Sequence, residues 1–325
     1  MSTTVVTSVI GSGMLLMTPV LWAALGETIG EQAGVLNIGV EGVMLIGAFA
    51  AAAGLQFTHS LDVGFLATIP VGIGVGALLS YLYVARGSDQ IVTGILFNLL
   101  ALGVTSVLYA RYLTGAGVVH TAPAIVIPGL SSIPVIGPAL FKQTIFTYAG
   151  VLLAVVVLYL LRGTWYGLYI RTLGERPFVG EAAGINVGRL RWIAVILACL
   201  LGTVGGGALV LTQAGGFTVD MTSGQGFIAL AVVILCRWNP IAVIGGAALF
   251  GLADAVQFQF QAVTSLDQVP RDVWLIVPYV LTIVVVAWAR RSQYPAACGI
   301  PFRQENLGEW FRLALGGRKG MPHEG

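Results

Sequence analysis

Five polar side chains stand inside long apolar stretches of this chain: Asn37, Glu41, Asn98, Gln213 and Asp254. In a hydrocarbon setting such groups are expensive unless they face protein or water. They offer two kinds of chemistry: hydrogen bonding to a polar solute on its way through, and proton uptake at a carboxylate. Glu41 follows Asn37 by four residues, a spacing that puts both on one face of a helix. Glu41 reads either as a lining or gate residue, or as a structural carboxylate bonded to Asn37 or to a neighbouring helix end. Asn98 and Gln213 read either as the lining of a solute route or as interhelical glue. Asp254 precedes Gln257, Gln259 and Gln261, a cluster that fits an outer mouth or a solvated rim.

Other chemistry has no residues to carry it. No Gly-x-x-x-x-Gly-Lys-Ser/Thr occurs, and Lys142 and Lys319, the only lysines, sit in Phe-Lys-Gln and Arg-Lys-Gly. Neither belongs to a phosphate-cradling loop, so ATP binding of that type is excluded. His59, His120 and His323 are scattered, and there is neither a His-Glu-x-x-His nor a Gly-x-Ser-x-Gly. Cys199, Cys236 and Cys298 are too far apart for a metal-ligand spacing, and the first two read as small packing residues. We expect no catalytic residue, no metal and no cofactor. A net charge of +2 gives no reason to expect nucleic-acid binding.

The elements that position these residues follow from composition. Charged residues make up 9% of 325, against about 25% in soluble domains, while apolar residues reach 57% and the mean hydropathy is +0.91. Such a chain cannot cover a globular surface, so an all-α polytopic membrane protein is expected. About 20 apolar residues cross a ~30 Å hydrocarbon core. Nine spans (range 8–10) are expected: Val5–Leu25, Gly34–Leu55, Val63–Val84, Ile91–Tyr112, Ile145–Leu161, Trp192–Thr212, Phe227–Leu235, Ile241–Phe260 and Val273–Ala289. The seventh is short, and begins further back or is a broken helix. The N-terminus has no basic n-region and does not read as a removed signal peptide.

With the 162–191 segment taken as cytoplasmic, 13 Lys/Arg fall on that side and 3 on the other. That bias places the N-terminus outside and the C-terminus inside. Residues 1–291 then form the transmembrane domain. Within it lie a cytoplasmic loop, 162–191, and an outer loop, 113–144, whose Pro123, Pro128, Pro134 and Pro138 predict an irregular cap. Residues 292–325 form a cytoplasmic tail with an amphipathic stretch at Leu307–Leu315. Gly72-x-Gly74-x-Gly76, Gly202-x-x-Gly205-Gly206-Gly207 and Gly245-Gly246 read as close-packing runs. Six tryptophans near span ends, Trp22, Trp165, Trp192, Trp238, Trp274 and Trp288, fit an aromatic belt. Residues 34–42 and 216–226 are both Gly-punctuated polar stretches running into apolar helices, a weak sign of internal repeats.

Within the cytoplasmic loop, Pro177 suits a helix first turn, Phe178, Ala182 and Ile185 recur at helical spacing, and Gly184 suits a stop. EAAGIN at 181–186 resembles the EAA-type coupling motif of ABC importer permeases. GETIGEQAGVLNIGVEG at 26–42 resembles the second-span signature of the branched-chain amino acid/ribose permease family, and more narrowly its nucleoside and simple-sugar subgroup. DQIVTG at 89–94 with NLLALG at 98–103, GQGFIALA at 224–231, and RWNP at 237–240 with FGLAD at 250–254 are similar in the same order. Gln32 departs from the arginine common in the subgroup.

This resemblance implies a type II-like ABC importer permease with an internal repeat, in the inner (plasma) membrane of a prokaryote. Its implied partners are a separate ABC ATPase, a second permease subunit forming a heterodimeric pore, an extracytoplasmic substrate-binding protein and a small polar solute. ATP would be bound by the partner subunits. The coupling helix would comprise Glu175, Pro177, Glu181, Ala182, Ala183, Gly184, Ile185 and Asn186. Nucleosides or simple sugars are the implied solutes. The alternative is a proton-coupled secondary transporter with Glu41 as its proton site.

Overall fold

A computed structural model describes residues 3–115, 117, 119–133, 136–263, 276–288 and 294–300. Helix α1 runs Thr3–Gln32, α2 Val40–Thr58, α3 Leu61–Ser80 and α4 Gln90–Tyr112. After the outer loop come α5 (Ile136–Leu140), α6 (Ile145–Gly163), α7 (Trp165–Glu175) and α8 (Pro177–Ala182). The remainder are α9 (Val187–Leu209), α10 (Gln225–Leu235), α11 (Pro240–Val263) and α12 (Val277–Trp288). Seven of these helices are long and apolar enough to cross a membrane, and α10 and α12 are shorter apolar helices, so the nine expected spans all have counterparts among the described residues. Seven of the Lys/Arg in the charge count (Arg271, Arg290, Arg291, Arg303, Arg312, Arg318 and Lys319), Trp274, Pro134 and the stretch Leu307–Leu315 lie outside the described residues.

Helix α9 is the central post, packed against α1, α2 and α3 and buried over most of its length. Glycines make this approach possible. A Cβ on Gly26 of α1 would lie 2.6 Å from the Ala198 carbonyl oxygen, and one on Gly206 would run into the Met44 carbonyl of α2. Gly72 and Gly76 of α3 likewise meet Leu200 and Ile196 of α9, at 2.9 and 2.8 Å from their Cα atoms, whereas Gly74 faces open space. One core joins Leu21 and Leu25 of α1, Val232 and Val233 of α10, and Val243 and Phe250 of α11. The outward faces of α4 and α6 keep Leu96, Leu99, Val107 and Leu152 exposed, which is the pattern of a surface bathed in lipid.

The described residues of the 113–144 loop include regular elements. A two-stranded antiparallel ribbon, β1 (Ala124–Val126) with β2 (Lys142–Thr144), brackets a 3₁₀ turn and α5. Two helices carry a wide π-type extension, α3 at Tyr81–Ala85 and α9 at Val210–Ala214.

Two sequence expectations are corrected. Asn37 and Glu41 do not share a helix face, because α2 begins only at Val40. The chain must reverse between α1 and α2, and Gly34, at φ +85°, makes the turn against Arg191 and Leu173, where a side chain would clash. Asn37 therefore lies in an irregular stretch. Trp22 and Trp238 do not belong to a lipid-facing belt. Trp22 Nε1 donates to the Phe146 carbonyl at 3.0 Å, and the buried Trp238 donates to Glu31. Trp165, 75% exposed, does fit the belt.

Candidate functional site

The site begins with a helix that covers only part of the membrane. The eleven residues of α10 span about 16 Å, roughly half of a hydrocarbon core. Its first N–H groups therefore emerge among other helices and need partners. Glu41 supplies them. Its Oε1 accepts from Gly224 N at 2.8 Å and its Oε2 from Gly226 N at 2.7 Å. A carboxylate at a helix N-terminus also opposes the positive end of the helix dipole. A Cβ on Gly226 would lie 2.6 Å from Glu41 Cα, so glycine permits this approach. The two Gly-punctuated stretches that look alike in the sequence thus meet in space.

The other end of α10 is pinned to α1. Trp238 Nε1 donates to Glu31 Oε2 at 2.6 Å, and Gln32 Nε2 donates to the Trp238 carbonyl at 2.7 Å. Next to them Glu27 is fully buried, its Oε1 accepting from Asn37 Nδ2 at 3.1 Å, while Asn37 Oδ1 accepts from Tyr83 at 3.2 Å. Asn37 is thus a tie between α1 and α3. Asn98 is a tie between α4 and the start of α2: its Oδ1 accepts from Gly42 N at 2.8 Å and its Nδ2 donates to the Ile38 carbonyl at 3.0 Å.

A cavity of about 540 Å³ adjoins the segment that Glu41 holds, with Ser223 and Gln225, on either side of Gly224, in its lining. Its polar lining includes Gln213 from the extension of α9, Thr218, Asp220 and Ser223 from the 215–224 stretch, Gln225 from α10, and Asp254 and Gln257 from α11. Gln257 is only 5% exposed, and the Gln225 Oε1 is buried with no hydrogen-bond partner among the described residues. Among the described residues no Arg, Lys or His lines it. Of the five sequence candidates, the structure brings Gln213 and Asp254 together here. Glu41, Asn37 and Asn98 are not in its lining, though Glu41 bonds the backbone at Gly224 and Gly226 beside it.

Gln213 has a second task. Pro19 lacks the N–H that would pair with the Leu15 carbonyl in α1. The Gln213 Nε2 donates to that carbonyl at 3.2 Å.

Sequence reasoning passed over Gln225, Asp220, Glu27 and Glu31 as site residues. The signal for the last two was available, since two carboxylates at i and i+4 in an apolar helix are unusual. Nothing local marks Gln225 or Asp220.

In the 162–191 loop, α8 starts with Pro177 at its first turn, and Gly184 takes φ +82° just past its end. Ala182, Ala183 and Gly184 are exposed, a Cβ on Gly184 would meet nothing within 4 Å, and Asn186 caps α9 by accepting from Arg189 N at 2.9 Å. Glu175 is exposed at the end of α7, and Glu181 and Ile185 are half-buried. Among the described residues no group of three or more His, Cys, Asp or Glu is placed to hold a metal. Burial pushes the Cys298 thiol well up from its ordinary range, which leaves it protonated and unreactive.

A family model described as "Branched-chain amino acid transport system / permease component" matches residues 9–286. The chain belongs to this family. It is 33% identical over 307 residues to the guanosine ABC transporter permease protein NupQ of Bacillus subtilis, covering 90% of this chain and 96% of the relative. It is 34% identical over 249 residues to TsgC13 of Haloferax volcanii, named for glucose ABC transport, covering 76% of each. A second Bacillus subtilis chain, the guanosine ABC transporter permease protein NupP, is 23% identical over 259 residues, covering 74% of this chain and 71% of the relative. This permease is therefore a multi-pass membrane component of an ABC transporter.

Proposed function

We propose that this permease is one half of the pore of an ATP-driven importer, and that nucleosides are its solute. The observation that carries the reading is the lining of the 540 Å³ cavity: Asp254 and Asp220 with the carboxamides of Gln213, Gln225 and Gln257, and among the described residues no cationic side chain. Carboxylates accept from sugar hydroxyls and base N–H groups, and carboxamides both donate and accept. The two carboxylates repel an anionic solute such as a nucleotide. A neutral, hydroxyl-rich solute fits. The relative named for guanosine is matched over more of this chain than the one named for glucose, which favours nucleosides over sugars.

The remaining assignments rest on the same family reading. The 13-to-3 charge bias supports an outside N-terminus and a cytoplasmic C-terminus in the plasma membrane of a prokaryote. Residues 175–186 are the ATPase docking segment, and the small, exposed Ala182, Ala183 and Gly184 support this. ATP is bound and hydrolysed by separate subunits, and an extracytoplasmic binding protein delivers the solute. Two permeases named for guanosine in one organism, one much closer to this chain than the other, support a heteromeric pore. The transmembrane unit is residues 1–291, with residues 292–325 as a cytoplasmic tail. The proton-coupled alternative is weakened by Glu41: both its oxygens already accept from backbone N–H groups.

Uptake of labelled guanosine into proteoliposomes holding the permease with its cognate ATPase, second permease and binding protein tests the solute. Unlabelled nucleosides should compete and guanosine monophosphate should not. Competition by glucose with none by nucleosides would overturn the solute class.

A further inference from the structure

A second cavity, of about 470 Å³, lies at the cytoplasmic end of the helices and is not part of the solute site. Three guanidinium groups line it from three separate elements: Arg162 at the end of α6, Arg171 on α7, and Arg237 in the turn between α10 and α11. One carboxylate, Glu175, lines it as well. Among the described residues none of the three arginines has an ion-pair partner, and Arg171 Nε reaches only its own helix, the Gly167 carbonyl at 3.4 Å. A charge bias toward the cytoplasm accounts for arginines on this face but not for their convergence on one concavity.

The depth of the cavity is marked independently. Helix α7 buries Gly167, Ile170 and Leu173 and turns Trp165 and Tyr166 outward, at 75% and 68% exposed. Tyr159, one turn before the end of α6, is 69% exposed. Amphipathic aromatic rings gather at headgroup level, and a helix with one buried apolar face and exposed rings lies in that plane. The cavity therefore opens among phospholipid headgroups. The turn that presents Arg237 is held firmly, because Trp238 is bonded through both its Nε1 and its carbonyl to α1.

We infer that Arg162, Arg171 and Arg237 form a binding site for the phosphodiester headgroup of an anionic phospholipid. Guanidinium groups match phosphate oxygens in pairs, and basic pockets between helices at the cytoplasmic leaflet take such headgroups. The occupied site ties the α6–α7 corner to the end of α10.

The test uses the full chain in nanodiscs of mixed phosphatidylglycerol and phosphatidylcholine, with the lipids retained after gentle detergent extraction counted by native mass spectrometry. Phosphatidylglycerol should be enriched about tenfold in the unmodified chain, and the enrichment should vanish in the Arg162→Gln/Arg171→Gln/Arg237→Gln variant. Single Arg162→Gln and Arg171→Gln changes sit on exposed helix surfaces, will not limit folding, and should each remove part of it. Undiminished enrichment in all these variants would overturn the site. Inorganic phosphate at millimolar concentration displacing the lipid and protecting the lipid-free chain equally well would make the ligand a soluble anion, against the proposal. Lost ATPase association with lipid enrichment intact would assign the arginines to a protein interface, also against it.

Discussion

Pro19 leaves the Leu15 carbonyl without its helical partner, and Gln213, nearly two hundred residues away, donates to it. The bond predicts a coupled pair. Gln213→Ala should destabilise the solubilised permease by about 1–3 kcal/mol, the cost of an orphaned buried acceptor. In a Pro19→Ala background, where the helix supplies its own N–H, the loss should shrink toward zero. Thermal unfolding of the four proteins of this cycle measures it, and an equal loss in both backgrounds would contradict the assignment. Asp254 has a different role. Asp254→Asn keeps the shape of the cavity and removes a charge, so the solute Km should rise several-fold while the amount of folded protein stays level. Glu41→Gln replaces one acceptor at the start of α10 with an amide that faces an N–H. Stability should fall by about 1–3 kcal/mol. Uptake should slow yet remain insensitive to an uncoupler at constant ATP. Uncoupler-sensitive uptake that becomes insensitive in the variant would instead mark Glu41 as a proton carrier. Hydropathy singled out Glu41 and Asp254 correctly as unusual. It did not show that Glu41 caps a helix 183 residues further along, because nothing in a local pattern tells which helix ends meet.

In the proposed function, helix α10 and segment 175–186 are the elements through which transport would be driven. Helix α10 is held by Glu41 at one end and by Glu31 and Gln32 at the other. The shortness of this span was legible from the Gly-rich run ahead of it. The break before α2 was not, because Val35-Leu-Asn-Ile has the same hydropathy in a turn as in a helix, and only the reversal at Gly34 makes it irregular. Packing was legible in part: Gly206 is a contact with α2, whereas Gly245 has nothing within 4 Å of a Cβ. Gly206→Val should therefore abolish folded protein. Gly245→Ala should be tolerated or raise stability by up to about 1 kcal/mol through helix propensity. Size-exclusion profiles and unfolding temperatures separate the two outcomes. On the cytoplasmic side, Ala182→Arg or Gly184→Asp should leave the permease inserted and abolish co-purification of the ATPase, since a buried unpaired charge at that interface costs several kcal/mol. Ala124→Arg on the exposed β1 ribbon should not affect co-purification. Full ATPase association in Ala182→Arg would remove segment 175–186 from the coupling role.

At the scale of the whole molecule, composition alone implied a polytopic membrane protein, and the ordered motifs from residue 26 to 254 identified its family before any contact was known. The cavity was less legible, because its polar groups come from α9, the 215–224 stretch, α10 and α11, and their convergence depends on packing. The central claim is that this chain forms a route and that another chain supplies the energy. The most direct measurement compares ATP hydrolysis and solute uptake for the purified permease alone and for the complex with its ATPase, in proteoliposomes with ATP supplied on the ATPase side. Alone, the permease should hydrolyse no ATP and accumulate no solute, and the complex should do both, stopping with vanadate. Vanadate-sensitive hydrolysis by the isolated chain, or accumulation driven by a proton gradient without the ATPase, would contradict the account.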